Sequence, residues 1–243
     1  RSFPQTYLTW LRSLSDGDLG FSVTHNTAVT ELLWPRARNT FVLTLAATTL
    51  AWMIAIPVGP WAAQRERAWP DRVAAATTTA LIGIPDLVLC LALLLLAART
   101  GVLPTGGMMS AGFADLGTWQ QVADVVTHAF IPVLALTLVS LPVLVRHMRA
   151  SMLDALNSPC IQAARALGIP EPRLRYRYAL RLAANPMISL LGLSVSGLLS
   201  ASLIVETIMS WPGLGPLLLS AVLARDSHVV VAVVMCSTVL LLG

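Results

Sequence analysis

The chain has 243 residues, of which 56% are hydrophobic and only 12% are charged, and its formal net charge is +4 at pH 7. A soluble globular domain carries about 25% charged residues, so the composition excludes an ordinary soluble domain and favours an integral membrane protein. The positive charge does not indicate a nucleic-acid partner, because the arginines flank long uncharged stretches, as membrane topology requires.

Four long stretches with at most one charged residue follow one another along the chain, and each is long enough for a membrane helix of about 20 residues. A shorter apolar run begins at Val229 and continues to Gly243. Because this run stops in mid-pattern, we expect the chain to continue beyond Gly243. The chain also begins abruptly at Arg1, without a signal-peptide pattern.

The arginines predict the orientation. The sequence contains no lysine, and ten of its sixteen arginines lie in two connecting segments, residues 64–72 and 146–181. Connecting segments rich in Lys and Arg face the cytoplasm. These two segments are therefore predicted to be cytoplasmic, and the N-terminal segment 1–39 is predicted to be extracytoplasmic.

Two outer segments, residues 14–22 and 101–117, are rich in glycine and other turn-forming residues. Such segments serve either as plain connectors or as docking sites for a protein that binds from outside. The residues alone leave both interpretations open.

A short helix is predicted within the second cytoplasmic segment. Ser158 followed by Pro159 is a typical helix start, with a serine N-cap and a proline at the first helical position. Gly168 is a typical stop. Ile161, Ala164 and Leu167 recur every three residues and predict one narrow apolar face, either of an interfacial linker or of a docking helix for a soluble partner.

Two motifs carry a family resemblance. The segment "QAARALG" (162–168) resembles the EAA loop of ABC-importer permeases, with Gln162 in place of the family's glutamate. The segment "VETIMSWPGLG" (205–215) resembles the signature of the dipeptide, oligopeptide and nickel branch of these permeases. Further segments resemble that branch in the same order, so the likeness covers nearly the whole chain.

The resemblance implies an all-α polytopic membrane protein with the type I ABC importer permease fold and six helices per subunit. The first helix would precede Arg1, and the sixth, starting near residue 229, would be cut. Residues 40–243 would form the permease domain, with a cytoplasmic coupling loop at residues 147–182. The four complete spans would cover residues 40–63, 73–98, 126–146 and 183–205.

The resemblance also implies partners and a location, the bacterial inner membrane. These partners are a second permease subunit, two cytoplasmic ATPase subunits that bind ATP and magnesium, and an extracytoplasmic substrate-binding protein. This chain would itself hold no cofactor or metal. The residues that would contact the ATPase subunits are Ile161, Gln162, Ala163, Ala164, Ala166, Leu167 and Gly168.

Two carboxylates fall in or beside predicted spans, where charged residues usually face a cavity or a partner. We expect Asp86 either to line the pathway and meet a peptide ammonium group, or to be protonated or bonded to neighbouring backbone. Glu206 would either cap the following turn or contact substrate. The turn itself contains Trp211, predicted to be an interfacial anchor, together with Pro212, Gly213 and Gly215.

The favoured function is therefore a non-enzymatic permease subunit for di- and oligopeptides. A nickel or other small-solute importer permease is the alternative within the same branch. A secondary transporter or channel would need several intramembrane carboxylates or paired broken helices, and an intramembrane metalloprotease would need an HExxH pattern, which the sequence lacks.

Overall fold

A computed structural model describes residues 17–242, so the predictions for residues 1–16 lie outside the described part of the chain. Within it, two short strands form an antiparallel hairpin in which Phe21 pairs with Ala28. The elements in chain order are β1 (Phe21–Ser22), β2 (Thr27–Ala28), α1 (Val29–Ala63), α2 (Trp69–Gly83), α3 (Asp86–Thr100), α4 (Thr118–Leu156), α5 (Pro159–Ala166), α6 (Glu171–Ile208), α7 (Leu214–Leu223) and α8 (Ser227–Leu242).

The all-α polytopic architecture is confirmed. Among residues 17–242, three helices are long and apolar enough to cross a membrane: α1 with 35 residues, α4 with 39 and α6 with 38. The pair α2 and α3 would make a fourth crossing if the two are counted as one broken span.

The helices are longer than the predicted spans. Helix α1 ends at Ala63, as expected, but begins at Val29 rather than at residue 40. Helix α4 extends beyond both ends of the range 126–146 and continues to Leu156. Apolar stretches mark only the part of a helix that contacts lipid, whereas the backbone hydrogen-bond pattern continues through polar residues outside it.

The predicted span over residues 73–98 is not a straight helix, because two helices, α2 and α3, cover it. Helices α2 and α3 meet at Ile84 and Pro85 with a bend of 99°. Ile84 has an extended backbone, with φ −92° and ψ 121°. Proline disfavours the helical conformation of the residue before it and donates no backbone hydrogen bond, so the helix stops here and restarts at Asp86 in another direction.

Helices α1 and α4 pack closely through small residues on α1. Positions of α1 that recur every four residues are buried small residues: Ala47, Ala51, Ala55, Gly59 and Ala63. A Cβ atom built on Gly59 would lie 2.6 Å from Met148 Cβ and 3.1 Å from the backbone nitrogen of Arg149. The two backbones are therefore closer at this point than any larger side chain allows, as at the small-residue contacts typical of membrane helices.

An ion pair fixes helix α2 to helix α4. The Arg149 guanidinium donates from Nε to Asp71 Oδ1 at 2.5 Å and from its second nitrogen to Oδ2 at 2.8 Å. The Arg67 backbone nitrogen donates to the same Asp71 Oδ2 at 2.8 Å. Such two-point arginine–carboxylate pairs fix direction as well as distance, and a second arginine, Arg146, donates to the Thr79 hydroxyl at 2.7 Å.

We predict that Gly59→Ala lowers the thermal stability of the purified protein in detergent. The added methyl group has to push α1 away from α4, and overpacking of this kind costs about 1–3 kcal/mol. The matched control is Gly192→Ala in α6, where an added Cβ meets no atom within 4 Å. Equal melting temperatures for the two variants would contradict the close contact.

Candidate functional site

Helix α5 begins and ends where its sequence predicts. Ser158 is the N-cap, and its hydroxyl oxygen accepts a hydrogen bond from the Ile161 backbone nitrogen at 3.4 Å and donates to the Ala155 carbonyl at 2.7 Å. Pro159 is the first helical residue. After the helix, Gly168 has φ +79°, a left-handed conformation that a residue with a Cβ adopts only at a cost.

The predicted single apolar face of α5 is wrong. Ile161 is fully buried and packs with Met152, Ala155 and Ala183, whereas Leu167 is 82% exposed. Six residues of helix leave two side chains about 120° apart around the axis. Ile161 therefore anchors α5 to the end of α4, and Leu167 projects from a different, exposed side.

The free surface of α5 is mostly neutral, with one charged side chain, Arg165. Ala164 is half-buried, and the exposed positions of the helix and of its C-terminal end are Pro159, Cys160, Gln162, Ala163, Arg165, Ala166, Leu167 and Gly168. The Gln162 side-chain amide donates to the Asn157 carbonyl at 3.1 Å, a bond that the ionised glutamate of the family motif could not donate. Arg165 is paired with Glu171 at 2.5 Å, so the apolar tip at Leu167 dominates this surface.

The turn at residues 209–215 is packed inside the bundle. Trp211 is only 2% exposed and packs with Leu43, Leu136 and Met209, so its predicted role as an interfacial anchor is wrong. The turn folds back against α1 and α4, which removes the indole from the membrane surface.

Glu206, near the end of α6, stabilises the turn at residues 209–215. It is fully buried, and its Oε2 accepts a hydrogen bond from the Gly215 backbone nitrogen at 2.8 Å. A Cβ on Gly213 would overlap the Glu206 carboxylate, and one on Gly215 would lie 2.5 Å from the Leu203 carbonyl oxygen. The geometry favours the capping interpretation of Glu206, because the carboxylate is fully buried and bonds to the backbone of the turn itself.

Two residues of α1 complete the turn, and sequence reasoning missed both. The Asn39 amide donates to the Pro212 carbonyl at 2.9 Å, and the Thr40 hydroxyl accepts from the Leu214 backbone nitrogen at 2.9 Å. The sequence signal that could have identified them is that Asn39 and Thr40 are adjacent polar residues at the start of a long apolar stretch.

A cavity of about 610 Å³ lies between the start of α3 and the facing sides of α4 and α6. Most of its lining residues are apolar, and polar groups interrupt them at Asp86, Ser140, His147, Ser194 and Ser200. Among the described residues, no hydrogen-bond partner meets the Asp86 carboxylate, so the alternative in which it bonds to neighbouring backbone does not fit. Ser140 and His147 were missed, although their spacing of seven residues puts them on one helix face.

Asp226, which lies between α7 and α8, joins this end of the bundle to the N-terminal hairpin. The Ser22 hydroxyl donates to its Oδ2 at 2.7 Å, and the Thr24 backbone nitrogen donates to the same atom at 3.4 Å. Burial acts to raise the pKa of Asp226, but these hydrogen bonds to the charged form outweigh it, so the pKa lies below its ordinary value.

The outer segment 101–117 also packs against the helices. Gly107 donates its backbone N–H to the Met209 carbonyl at 3.1 Å, and Ser110 donates its backbone N–H to Asp124 Oδ2 at 2.8 Å. These bonds join the segment to the end of α6 and to the start of α4.

The fold and these motifs define an inner-membrane component of a binding-protein-dependent transport system, and the chain belongs to that family, whose model matches residues 55–243. This is the family of type I ABC importer permeases, so the fold class implied by the resemblance is confirmed.

Three relatives illustrate the likeness. The chain is 36% identical over 236 residues to the oligopeptide transport system permease protein AppB of Bacillus subtilis, covering 96% of this chain and 73% of that protein. It is 32% identical to the dipeptide transport system permease protein DppB of Escherichia coli, covering 93% and 72%. It is 30% identical to the glutathione transport system permease protein GsiC of Pectobacterium atrosepticum, covering 97% and 72%.

We predict that Asp226 stabilises the protein at neutral pH and loses this effect in acid. A carboxyl group whose folded pKa is depressed contributes stability above its ordinary value of about 3.9, and loses it as pH falls through the folded pKa. The melting temperature of Asp226→Asn should lie below that of the wild type by a constant amount from pH 8 to pH 5, and the gap should close in stronger acid. Asp115→Asn, at an exposed position, is the control, and a gap that does not change with pH would contradict the prediction.

Proposed function

We propose that this permease subunit imports di- and oligopeptides, lines the pathway with the cavity between α3, α4 and α6, and receives the force of ATP hydrolysis through α5. The observation that carries the proposal is the geometry of α5, a short helix anchored by one buried residue and exposed on its remaining sides. Permeases named for oligopeptide, dipeptide and glutathione transport resemble the chain along nearly its whole length, which supports peptides as the cargo.

ATP is hydrolysed on partner subunits in this proposal. A phosphate-binding loop of the GxxxxGK[ST] type needs a lysine, and these 243 residues contain none. Two ATPase subunits would bind ATP and magnesium, and their closure would move α5. A second, different permease subunit would complete the pathway, and an extracytoplasmic binding protein would deliver the peptide at the outer end.

Helix α4 connects the docking element to the cavity. Its residues Met152 and Ala155 pack on Ile161 of α5, and its residues Ser140 and His147 line the cavity. Only five positions separate His147 from Met152, about 7.5 Å of helix. A displacement of α5 is therefore transmitted to the cavity wall through a single continuous helix, to which the Asp71–Arg149 ion pair joins α2.

Asp86 supplies the negative charge of the cavity in this proposal. A carboxylate in a largely apolar cavity attracts an ammonium group more strongly than it would in open water. Every unmodified peptide carries such a group at its N-terminus, so one acidic residue recognises peptides without reading their side chains.

The docking interpretation is tested by Leu167→Ala. Burial of a leucine side chain at an interface contributes about 1.5–3 kcal/mol, so we expect a loss of affinity for the ATPase subunits of about tenfold or more. Retention of ATPase subunits during purification and peptide-stimulated ATP hydrolysis in proteoliposomes are the measurements.

Leu223→Ala is the matched control for this experiment, because Leu223 is also a leucine at the end of a helix and is 76% exposed. It should leave both measurements unchanged. Full retention and full coupled activity of Leu167→Ala would refute docking through this surface.

The role of Asp86 is tested by replacing it with asparagine and with glutamate. We expect Asp86→Asn to raise the KM for dipeptide uptake about tenfold, whereas Asp86→Glu keeps the charge and should retain most of the uptake. Ser140→Ala, at another polar position of the same cavity, controls for altered packing. Wild-type uptake by Asp86→Asn would contradict the proposed contact with the ammonium group. It would not affect the proposed docking of ATPase subunits through α5.

Nickel import is the second candidate, and one observation favours it. Asp86 and His147 line the same cavity, and carboxylate and imidazole are both metal ligands. Among residues 17–242, however, no three such side chains come together in a group that could hold a metal ion. Uptake of radioactive nickel and of a labelled dipeptide by the same proteoliposomes distinguishes the two cargoes.

A further inference from the structure

A second depression, unrelated to the transport cavity, lies near the end of α1. This groove of about 550 Å³ is formed by the last two turns of α1, by Met152 of α4 and by the first part of α6. It shares no lining residue with the cavity that contains Asp86. The two depressions therefore belong to different surfaces of the bundle.

One wall of the groove changes from apolar to polar along α1. Ile56 and Pro57 begin the wall, Pro60 and Trp61 follow, and Gln64 ends it. From Ile56 to Gln64 the helix axis rises by about 12 Å, somewhat less than half of the hydrocarbon thickness of a bilayer, about 30 Å. The wall as a whole, including its polar end at Gln64, thus fits within one membrane leaflet.

The polar end of the groove has the composition of a membrane interface. Trp61 is 43% exposed and Tyr176 is 65% exposed, and tryptophan and tyrosine are enriched where headgroups begin. The Arg65 guanidinium lies over the Trp61 ring, 5.8 Å from its centroid. Arg175 reaches the same end of the groove from α6.

The charge at this end is positive. Glu171 is 3.5 Å from Arg175, but it is also 2.5 Å from Arg165, so one carboxylate is shared between two guanidinium groups. Arg175 and Tyr176 belong to the π-helical segment Leu174–Ala179. Such segments are rare and occur frequently at functional sites.

We propose that this groove binds an anionic phospholipid of the cytoplasmic leaflet. One acyl chain lies along Ile56, Pro57 and Leu180, and the phosphate lies between Arg175 and Gln64. Basic pockets at the cytoplasmic ends of membrane helices suit anionic headgroups. The proposal relies on the cytoplasmic placement of residues 146–181 that the proposed function also uses.

A lipid suits the groove better than an ATPase subunit or a transported peptide. A soluble ATPase subunit can approach the polar end but cannot follow α1 into the hydrocarbon layer. A transported peptide would meet arginine at this end and no carboxylate lining the groove, which is the opposite of what an ammonium group requires.

The experiment uses the complete transporter, released from membranes with a mild detergent, and counts retained phosphatidylglycerol molecules by native mass spectrometry. We expect Arg175→Gln to retain at least threefold less phosphatidylglycerol than the wild type, with no change in phosphatidylcholine. Arg177→Gln is the matched control, since Arg177 belongs to the same π-helical segment but does not line the groove. Arg65→Gln, at an exposed position, serves as the second variant if Arg175→Gln fails to assemble.

Equal retention of phosphatidylglycerol by the wild type, Arg175→Gln and Arg65→Gln would overturn the proposal. A loss of ATPase subunits from Arg175→Gln with unchanged phosphatidylglycerol would also overturn it, by showing that the groove is a subunit interface. Both outcomes are independent of the Leu167→Ala result, so failure of the lipid site is distinguishable from failure of the docking helix.

Discussion

The close contact between α1 and α4 is the constraint on which the rest of the bundle depends. In a lipid environment the hydrophobic effect does not press helices together, so their association relies on close van der Waals packing. Alanine and glycine at every fourth position of α1 let the two backbones approach, and Gly59 marks the tightest point against Met148. With this pair in place, α6 packs against α4 as well as α1, and the cavity between α4 and α6 has a fixed wall.

Polar contacts then position the elements that lie outside the α1–α4 pair. Asp71 and Arg149 join α2 to α4, Glu206 and Asn39 hold the turn after α6, and Asp226 joins the N-terminal hairpin to the start of α8. Each contact connects residues of different elements, and most of the groups are buried, where loss of a partner costs more than the bond itself is worth. Polar groups in this apolar protein therefore act mainly as determinants of position.

The same arrangement relates structure to transport. Helix α4 runs from segment 101–117 to the anchor of α5. Along the way it contributes cavity residues, and its arginines Arg146 and Arg149 donate hydrogen bonds to α2. The bend at Ile84 and Pro85 places Asp86 at the start of a new helix beside the cavity rather than in the middle of a straight span. In the proposed function, α4 transmits force as one continuous helix, and the bend between α2 and α3 allows a change of direction.

The sequence by itself determined the all-α membrane architecture, the apolar stretches, the start and stop of α5 and the family. These features depend on hydropathy, capping chemistry and short motifs, all of which are local properties of the chain. Only the tertiary structure decided that Ile161 points inward while Leu167 points outward and that Trp211 is buried. It also decided that Glu206 requires glycine at position 213, and that Asp86 shares a cavity with His147. Each of these depends on which elements meet in space, and residue spacing along one helix carries no information about the surface that faces it.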